Sequence, residues 1–231
     1  MAQKNEVHFI DGVRTPFGRA GEKGMYWIEL TARAAGGAGF MAGGSRSAVD
    51  LLLDGLAAVC QLREWTRPLP ARLGLQSSPD AADLERVTVN IGVLNGGGKV
   101  NLQAPFARAE IDIRLPLGIS CGDVRRWLDE VVAALPGLEW RPIHVSEPSC
   151  SEPTDPLFGR LNTAHAEVRG FELPIGMYLP GSDARLFRYR GVPTASYGPP
   201  AYGEGGADEY VLIDDLVATA KVLALTALDY C

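Results

Sequence analysis

Residues 107–115 read Ala-Arg-Ala-Glu-Ile-Asp-Ile-Arg-Leu, and apolar and charged side chains alternate along the whole segment. Every odd-numbered position is apolar and every even-numbered position is charged. Successive side chains of a β-strand point to opposite faces of a sheet, so this pattern predicts a strand with one buried face. Such a strand is typical of an antiparallel sheet that is covered on one side only.

Further strands are predicted on both sides of this segment, over residues 26–33, 87–93 and 140–145. The run Asn-Gly-Gly-Gly at 95–98 is a strong hairpin signal, because these residues adopt the backbone angles of tight turns. We therefore expect residues 87–93 and 107–115 to be joined by a hairpin.

Two helices are predicted between these strands. Ser45 or Ser47 can cap the first, in which apolar residues recur at helical spacing over 49–59. Ser120 and Asp123 have the spacing of a capping box at the start of the second. The order β-α-β-β-α-β over residues 26–146 predicts an α+β unit, in which a four-stranded antiparallel sheet carries two helices on one face.

Residues 147–231 show alternating helices and strands. The patterns predict a helix over 155–169, strands over 175–178 and 194–197, a short helix that Ser182 can cap, and a last helix starting near Asp214. The apolar stripe of that last helix is Ile213, Leu216, Val217, Ala220 and Ala224. Such alternation is typical of an α/β layer, and two strands are too few for an independent sheet. We expect a partial α/β layer, the back half of a larger domain.

Composition excludes several classes of function. The 231 residues are 46% hydrophobic and 22% charged, as in a globular protein, and the net charge of −6 disfavours nucleic acid as a partner. No apolar run approaches the ~20 residues that span a bilayer, and the first residues lack a signal core, so we expect a cytoplasmic protein without membrane contact. The cysteines form no Cys-x-x-Cys pair, which favours reduced thiols.

Several ordered segments resemble one family. They are residues 27–33, 87–92, 96–97, Asn101, 107–114, 179–184 and 191–199. On these segments, residues 26–231 resemble the zinc-dependent aminoacylases and carboxypeptidases, a metallopeptidase family that includes acetylornithine deacetylase and succinyl-diaminopimelate desuccinylase. The resemblance implies a dimerisation (lid) domain at 26–146 and the C-terminal half of a catalytic domain at 147–231. It also implies a homodimer, bound zinc, and an N-acyl amino acid or peptide as ligand.

The resemblance also implies positions for two histidines. The lid histidine that supports the tetrahedral intermediate falls on Ala38, and the last zinc histidine falls on Gly205. The front-half ligands of such enzymes have no counterpart in the chain. We therefore expect a truncated family member without catalytic residues or a complete zinc site, unless a separate polypeptide supplies the ligands. Asp208 and Glu209 are either carboxylate ligands of zinc or solvated residues before the last helix.

On the substrate side, the resemblance implies contacts from Asn101 and Arg114 to a carboxylate, which a guanidinium binds in a bidentate manner. Gly181 and Ser182 lie at a predicted helix start, where backbone N–H groups favour anions. Each has a structural alternative. Arg114 can pair with Glu110 or Asp112, Asn101 can cap the hairpin, and Ser182 can be an N-cap.

Residues 1–25 resemble a different protein family. The stretch Glu6 to Arg19 is similar to the first strand and loop of thiolases, and the remainder through Gly24 is expected to be loop. A thiolase-type acyltransferase needs a reactive cysteine, and Cys121 lies at a predicted helix start, which can lower a thiol pKa. The alternative is that Cys121 is structural. Three functions therefore remain open: a zinc amidohydrolase, a non-catalytic dimerising protein and an acyltransferase.

Overall fold

The computed structural model describes residues 18–73, 81–173, 175–203 and 206–230. Most of the thiolase-like segment and Gly205 lie outside these residues, so the expectations for them stay predictions. The described residues divide into two units. We call residues 23–68 and 85–148 the sheet unit, and residues 18–22, 69–73, 81–84 and 149–230 the α/β unit.

Strands and α-helices follow each other along both units. The strands are β1 Gly18–Glu22, β2 Gly24–Arg33, β3 Gly37–Ala38, β4 Thr88–Gly96, β5 Leu102–Gln103, β6 Phe106–Leu115, β7 Leu138–Ser146, β8 Ser149–Cys150 and β9 Ile175–Tyr178. The α-helices are α1 Ala48–Cys60, α2 Ala81–Glu85, α3 Cys121–Ala134, α4 Pro156–Arg169, α5 Ala184–Arg188 and α6 Ile213–Tyr230. None of the helices in the described part of the chain combines the length and apolar composition that a membrane crossing requires.

The predicted four-stranded antiparallel sheet is confirmed. Its order is β4-β6-β2-β7, so β6 and β2 are its central strands. The odd-numbered residues of β6 from Ala107 to Leu115 are buried, as the alternation predicts. They pack with side chains of α1 and α3, among them Leu52, Leu56, Val124 and Leu128. Both helices therefore lie on one face of the sheet.

Both helices of the sheet unit begin at capping boxes. Ser47 caps α1, since its Oγ accepts the N–H of Asp50 at 3.2 Å and its own N–H donates to Asp50 at 3.0 Å. Ser120 and Asp123 form the same reciprocal pair at α3, as predicted. Each pair satisfies backbone donors that the first helical turn leaves free.

The hairpin between β4 and β6 is longer than the sequence signal predicts. Strand β4 continues through Gly96, which pairs with Ala107, so the connection comprises residues 97–105. Within it, β5 pairs with β3, Leu102 opposite Ala38. The first two residues of the run, Asn95 and Gly96, therefore end strand β4. Only Gly97 and Gly98 belong to the connection.

Residues 18–22 differ from the expected loop. They form β1, the middle strand of a three-stranded sheet, parallel to β9 and antiparallel to β8. Hydrophobic alternation does not predict this strand, because its buried side chains include Arg19 and Glu22. The strand predicted at 194–197 is a buried segment with one bridge, Arg19 to Ser196, rather than a full strand. The predictions for α4, β9 and the last helix are confirmed.

Helix α6 buries a different face from the one predicted. Thr219, Val222 and Thr226 are its buried residues, whereas Leu216 is 52% exposed and Val217 is 47% exposed. Val222 packs with the α4 residues Leu161 and Ala164 in a small core. Burial of Thr226 is tolerated because its hydroxyl donates to the Val222 carbonyl at 2.8 Å. Among the described residues, the apolar stripe of α6 therefore faces outward.

The turn between α3 and β7 depends on Gly137. Its φ is +94°, and a Cβ built there would lie 2.7 Å from the Arg33 carbonyl oxygen. We expect Gly137→Ala to lower the free energy of unfolding by at least about 2 kcal/mol, because the backbone strain and the collision add. Urea unfolding followed by circular dichroism measures the change.

Gly97→Ala is the matched control, since Gly97 also has a positive φ, +74°, but only one atom at 4.0 Å from a built Cβ. It should cost about 1 kcal/mol. Equal losses in the two variants would contradict the collision at Gly137.

Candidate functional site

A buried polar cluster joins three elements of the α/β unit. Glu22 ends β1, Ser182 lies in the turn after β9, and Arg188 ends α5. Ser182 donates its backbone N–H at 3.0 Å and its hydroxyl at 2.5 Å to Oε2 of Glu22. Nη1 of Arg188 lies 3.4 Å from the same oxygen. The two charged side chains are only 1% and 2% exposed, so the pair is shielded from solvent.

Burial dominates the electrostatics of this cluster. It raises the pKa of Glu22 against the opposing hydrogen bonds of Ser182 and the charge of Arg188. It lowers the pKa of Arg188, although Glu22 acts in the other direction. Oε1 of Glu22 is also buried and has no hydrogen-bond partner among the described residues. The pair therefore costs desolvation energy, and its role is to hold the turn after β9 against β1.

The predicted anion-binding turn at Gly181 and Ser182 already binds an anion of the chain itself. Both donors of Ser182 go to the Glu22 carboxylate rather than to solvent. The alternative that Ser182 is an N-cap is wrong, because Asp183 occupies that position and makes no side-chain cap bond. Helix α5 has only 5 residues, which leaves it a weak dipole.

Arg114 lies on the face of the sheet opposite the helices. Its Nε and Nη2 each lie 3.0 Å from Oδ2 of Asp112, so the alternative pairing with Asp112 is realised. Nη1 of Arg114 is buried and has no hydrogen-bond partner among the described residues. The Arg114 side chain as a whole is 22% exposed.

Asn101 is exposed in the connection between β4 and β5, where its carbonyl accepts the N–H of Gly39 at 2.8 Å. This contact places Asn101 beside Ala38, whose pairing partner is Leu102. Arg114 lies near the other end of β6, seven positions beyond Ala107, or roughly 23 Å at the rise of an extended strand. One copy of the chain therefore brings Asn101 and Ala38 together and keeps both away from Arg114.

The described residues do not fit a zinc ion. No three or more His, Cys, Asp or Glu side chains converge within the described ranges. The rings of His144 and Trp27 are in contact, with centroids 5.5 Å apart and planes tilted by 51°. His165 is fully buried, its Nδ1 lies 2.9 Å from the Tyr197 hydroxyl, and burial lowers its pKa. The buried carboxylates Glu22 and Glu29 both lie against guanidinium groups, which repel a metal cation.

Three other candidate residues have structural surroundings. Asp208 and Glu209 are exposed, as the solvated alternative expects. The N–H of Cys121 donates to Glu147 at 2.9 Å, and burial, with the Glu147 charge, raises the pKa of the Cys121 thiol to about 12. A thiol with such a pKa is a poor nucleophile at neutral pH, so the structural alternative for Cys121 is favoured.

The fold of the chain is similar to that of solved peptidases and amidases. A metallo-carboxypeptidase from Sulfolobus solfataricus matches with a TM-score of 0.74 at 17% identity, over 95% of this chain and 62% of that one. A tripeptidase from Staphylococcus aureus matches with a TM-score of 0.70 at 14% identity, over 95% and 55%.

An amidase of the hydantoinase/carbamoylase family from Burkholderia phymatum matches with a TM-score of 0.63 at 15% identity, over 92% of this chain and 49% of that one. The chain thus spans about half to three-fifths of the length of these proteins. At identities this low, the matches establish a shared fold and nothing further. No model of a known protein family matches the chain.

Glu22 predicts a pH dependence of stability. Because the folded-state pKa lies above the ordinary value of 4.5, its contribution is present below that value and is lost as the pH rises through the raised pKa. Glu22→Gln retains an acceptor for Ser182 and cannot ionise. We expect wild-type stability to fall relative to that of Glu22→Gln as the pH rises above 4.5 and through the raised pKa of Glu22.

Chemical denaturation across this pH range measures the difference. Glu167→Gln, which removes an exposed carboxylate of α4 in the same unit, is the control and should stay parallel to wild type. A Glu22→Gln profile that is also parallel to wild type would show that Glu22 is not desolvated.

Proposed function

We propose that the chain is a member of the zinc-dependent peptidase and amidohydrolase family. In this proposal, residues 26–146 serve as its dimerisation domain and residues 147–231 as the C-terminal half of its catalytic domain. The observation that carries the proposal is the match of both units to solved metallopeptidases over 95% of the chain. The sequence segments that resemble the family support it independently.

We further propose that this chain binds the family's type of ligand, an N-acyl amino acid or a peptide, without completing a zinc site itself. Arg114 carries the ligand contact, because its side chain is 22% exposed on the polar face of the sheet and a guanidinium suits a carboxylate. Ala38 and Gly205, at the expected histidine positions, offer no metal-binding side chain. Catalysis then requires ligands from outside the chain, and the isolated chain acts as a binding protein.

Titration of the full chain with N-acetylalanine tests this function. We expect binding of equal affinity after zinc loading and after treatment with a chelator, with no release of acetate. Arg114→Gln should weaken binding roughly tenfold, because a charge-assisted hydrogen bond is lost. Calorimetry measures the affinity, and elemental analysis measures the zinc content.

Arg108→Gln is the matched control, since Arg108 lies on the same strand and face and is also ion-paired, to Glu29 at 3.2 Å. It should leave the affinity unchanged. Stoichiometric zinc together with hydrolysis of N-acetylalanine would contradict the incomplete site. If neither the zinc-loaded nor the chelator-treated chain bound N-acetylalanine, the proposed ligand class would be wrong.

A second proposal is that the chain acts through association with a second copy, as a non-catalytic dimerisation protein. The outward apolar stripe of α6 favours it, with Ile213 78% exposed, Leu216 52% and Val217 47%. Neighbouring exposed apolar side chains on one helix face are a common feature of protein interfaces. Covering them removes apolar surface from water at about 25 cal/mol per Å².

Light scattering coupled to size-exclusion chromatography tests the association. We expect the mass of a dimer, and a shift to monomer in Leu216→Lys, because a charge at the centre of the stripe opposes its burial. Thr163→Lys adds the same charge at an exposed position of α4 and should remain dimeric. A wild-type monomer would contradict the proposal, and a Leu216→Lys dimer would move the interface to the sheet unit.

A further inference from the structure

The sheet unit contains a cavity of about 470 Å³ that has no part in the function proposed above. It lies between the segment after α1, which contributes Trp65 and Arg67, and helix α3, which contributes Trp127 and Glu130. Ile119, 5% exposed, provides an apolar wall. Its volume falls within the range of small-molecule sites.

Two indole rings form the aromatic part of this cavity. The rings of Trp65 and Trp127 are 5.9 Å apart at their centroids and meet edge to face at 63°. Both rings are half-buried. A flat apolar group fits such a corner, because aromatic rings favour offset and edge-to-face contacts.

Some of the charged side chains around the cavity pair with each other, and others are free to pair with a ligand. Asp123 accepts from the backbone N–H of Ser120 at 2.8 Å and also pairs with Arg126, so these two charges satisfy each other. The Arg67 guanidinium has no ion pair within the described ranges, and its stem lies against Gly118, with Cγ 3.7 Å from a Cβ built there. Arg67 is therefore the cation available to a ligand.

Glu130 limits the charge that a ligand can carry. It lies on the same face of α3, seven positions after Asp123 and therefore about two turns further along. Its exposed carboxylate has no ion pair among the described residues. A ligand with a second negative charge would meet repulsion at this end of the cavity, whereas a single carboxylate at Arg67 would not.

We propose that this cavity is a binding site for a small aromatic monocarboxylate. The ring of the ligand packs against Trp65 and Trp127, and its carboxylate pairs with Arg67 in a bidentate manner. The site is separate from Arg114, because the helices and Arg114 lie on opposite faces of the sheet.

Titration of the full chain with 3-phenylpropionate, followed by tryptophan fluorescence, tests the site. Its matched probes are 3-phenylpropanol, which is neutral, and 3-phenylpropylamine, which is cationic. We expect saturable quenching by the acid and binding about tenfold weaker for the alcohol and the amine, because they cannot pair with a guanidinium. Arg67→Gln should weaken binding of the acid about tenfold and leave the alcohol unchanged.

Arg125→Gln is the control, since it removes an exposed guanidinium from α3 outside the cavity and should bind like wild type. Arg67 is exposed, so its substitution does not disturb the core. Trp127→Phe should remove the part of the quenching that Trp127 contributes and so locate the ligand beside it. The proposal is overturned by absent or non-saturable quenching, by equal affinity for the three probes, or by an Arg67→Gln variant that binds the acid as wild type does.

Discussion

The burial of one side of β6 is the constraint on which the sheet unit depends. Ile111 pairs with Ile28 of β2 and Ile91 of β4. The register of both neighbouring strands is therefore defined relative to β6. A slip of one residue would move Asp112 and Arg114 into the core and expose Ile111 and Ile113. The energetic cost of burying charges excludes that alternative. Helices α1 and α3 then cover the apolar face, and the opposite face remains polar.

The α/β unit is held by a different kind of interaction. Its three-stranded sheet is small, and its central strand β1 buries Arg19 and Glu22 rather than aliphatic side chains. The contact of Glu22 with Ser182 and Arg188 ties β1 to the turn after β9 and to α5. Because a buried ion pair costs desolvation energy, it contributes specificity of arrangement more than net stability. It also uses both hydrogen-bond donors of Ser182 in the turn where the sequence predicted an anion site.

These two kinds of interaction bear on function in different ways. On the sheet unit, the polar face of β6 presents Arg114, and the helical face presents the tryptophan cavity. In the α/β unit, Ser182 and Arg188 both contact one carboxylate oxygen of Glu22, while the apolar stripe of α6 is exposed. The proposed binding of small acids and of a second copy of the chain rests on these surfaces. Within the described ranges, histidines, cysteines and carboxylates do not converge as a metal site requires.

The sequence by itself determined the sheet unit, because alternation in β6 and the capping boxes at Ser47 and Ser120 are local patterns that a few neighbouring residues specify. It also predicted α4, β9 and the position of α6. Only the tertiary structure decided which face of α6 is buried, since Thr226 satisfies its hydroxyl within the helix and Val222 meets the core of α4. The same holds for β1, which carries no local pattern, and for Ser182, whose partner Glu22 is 160 residues away. Distant partners of polar groups leave no periodic trace in a sequence, because their positions are set by packing.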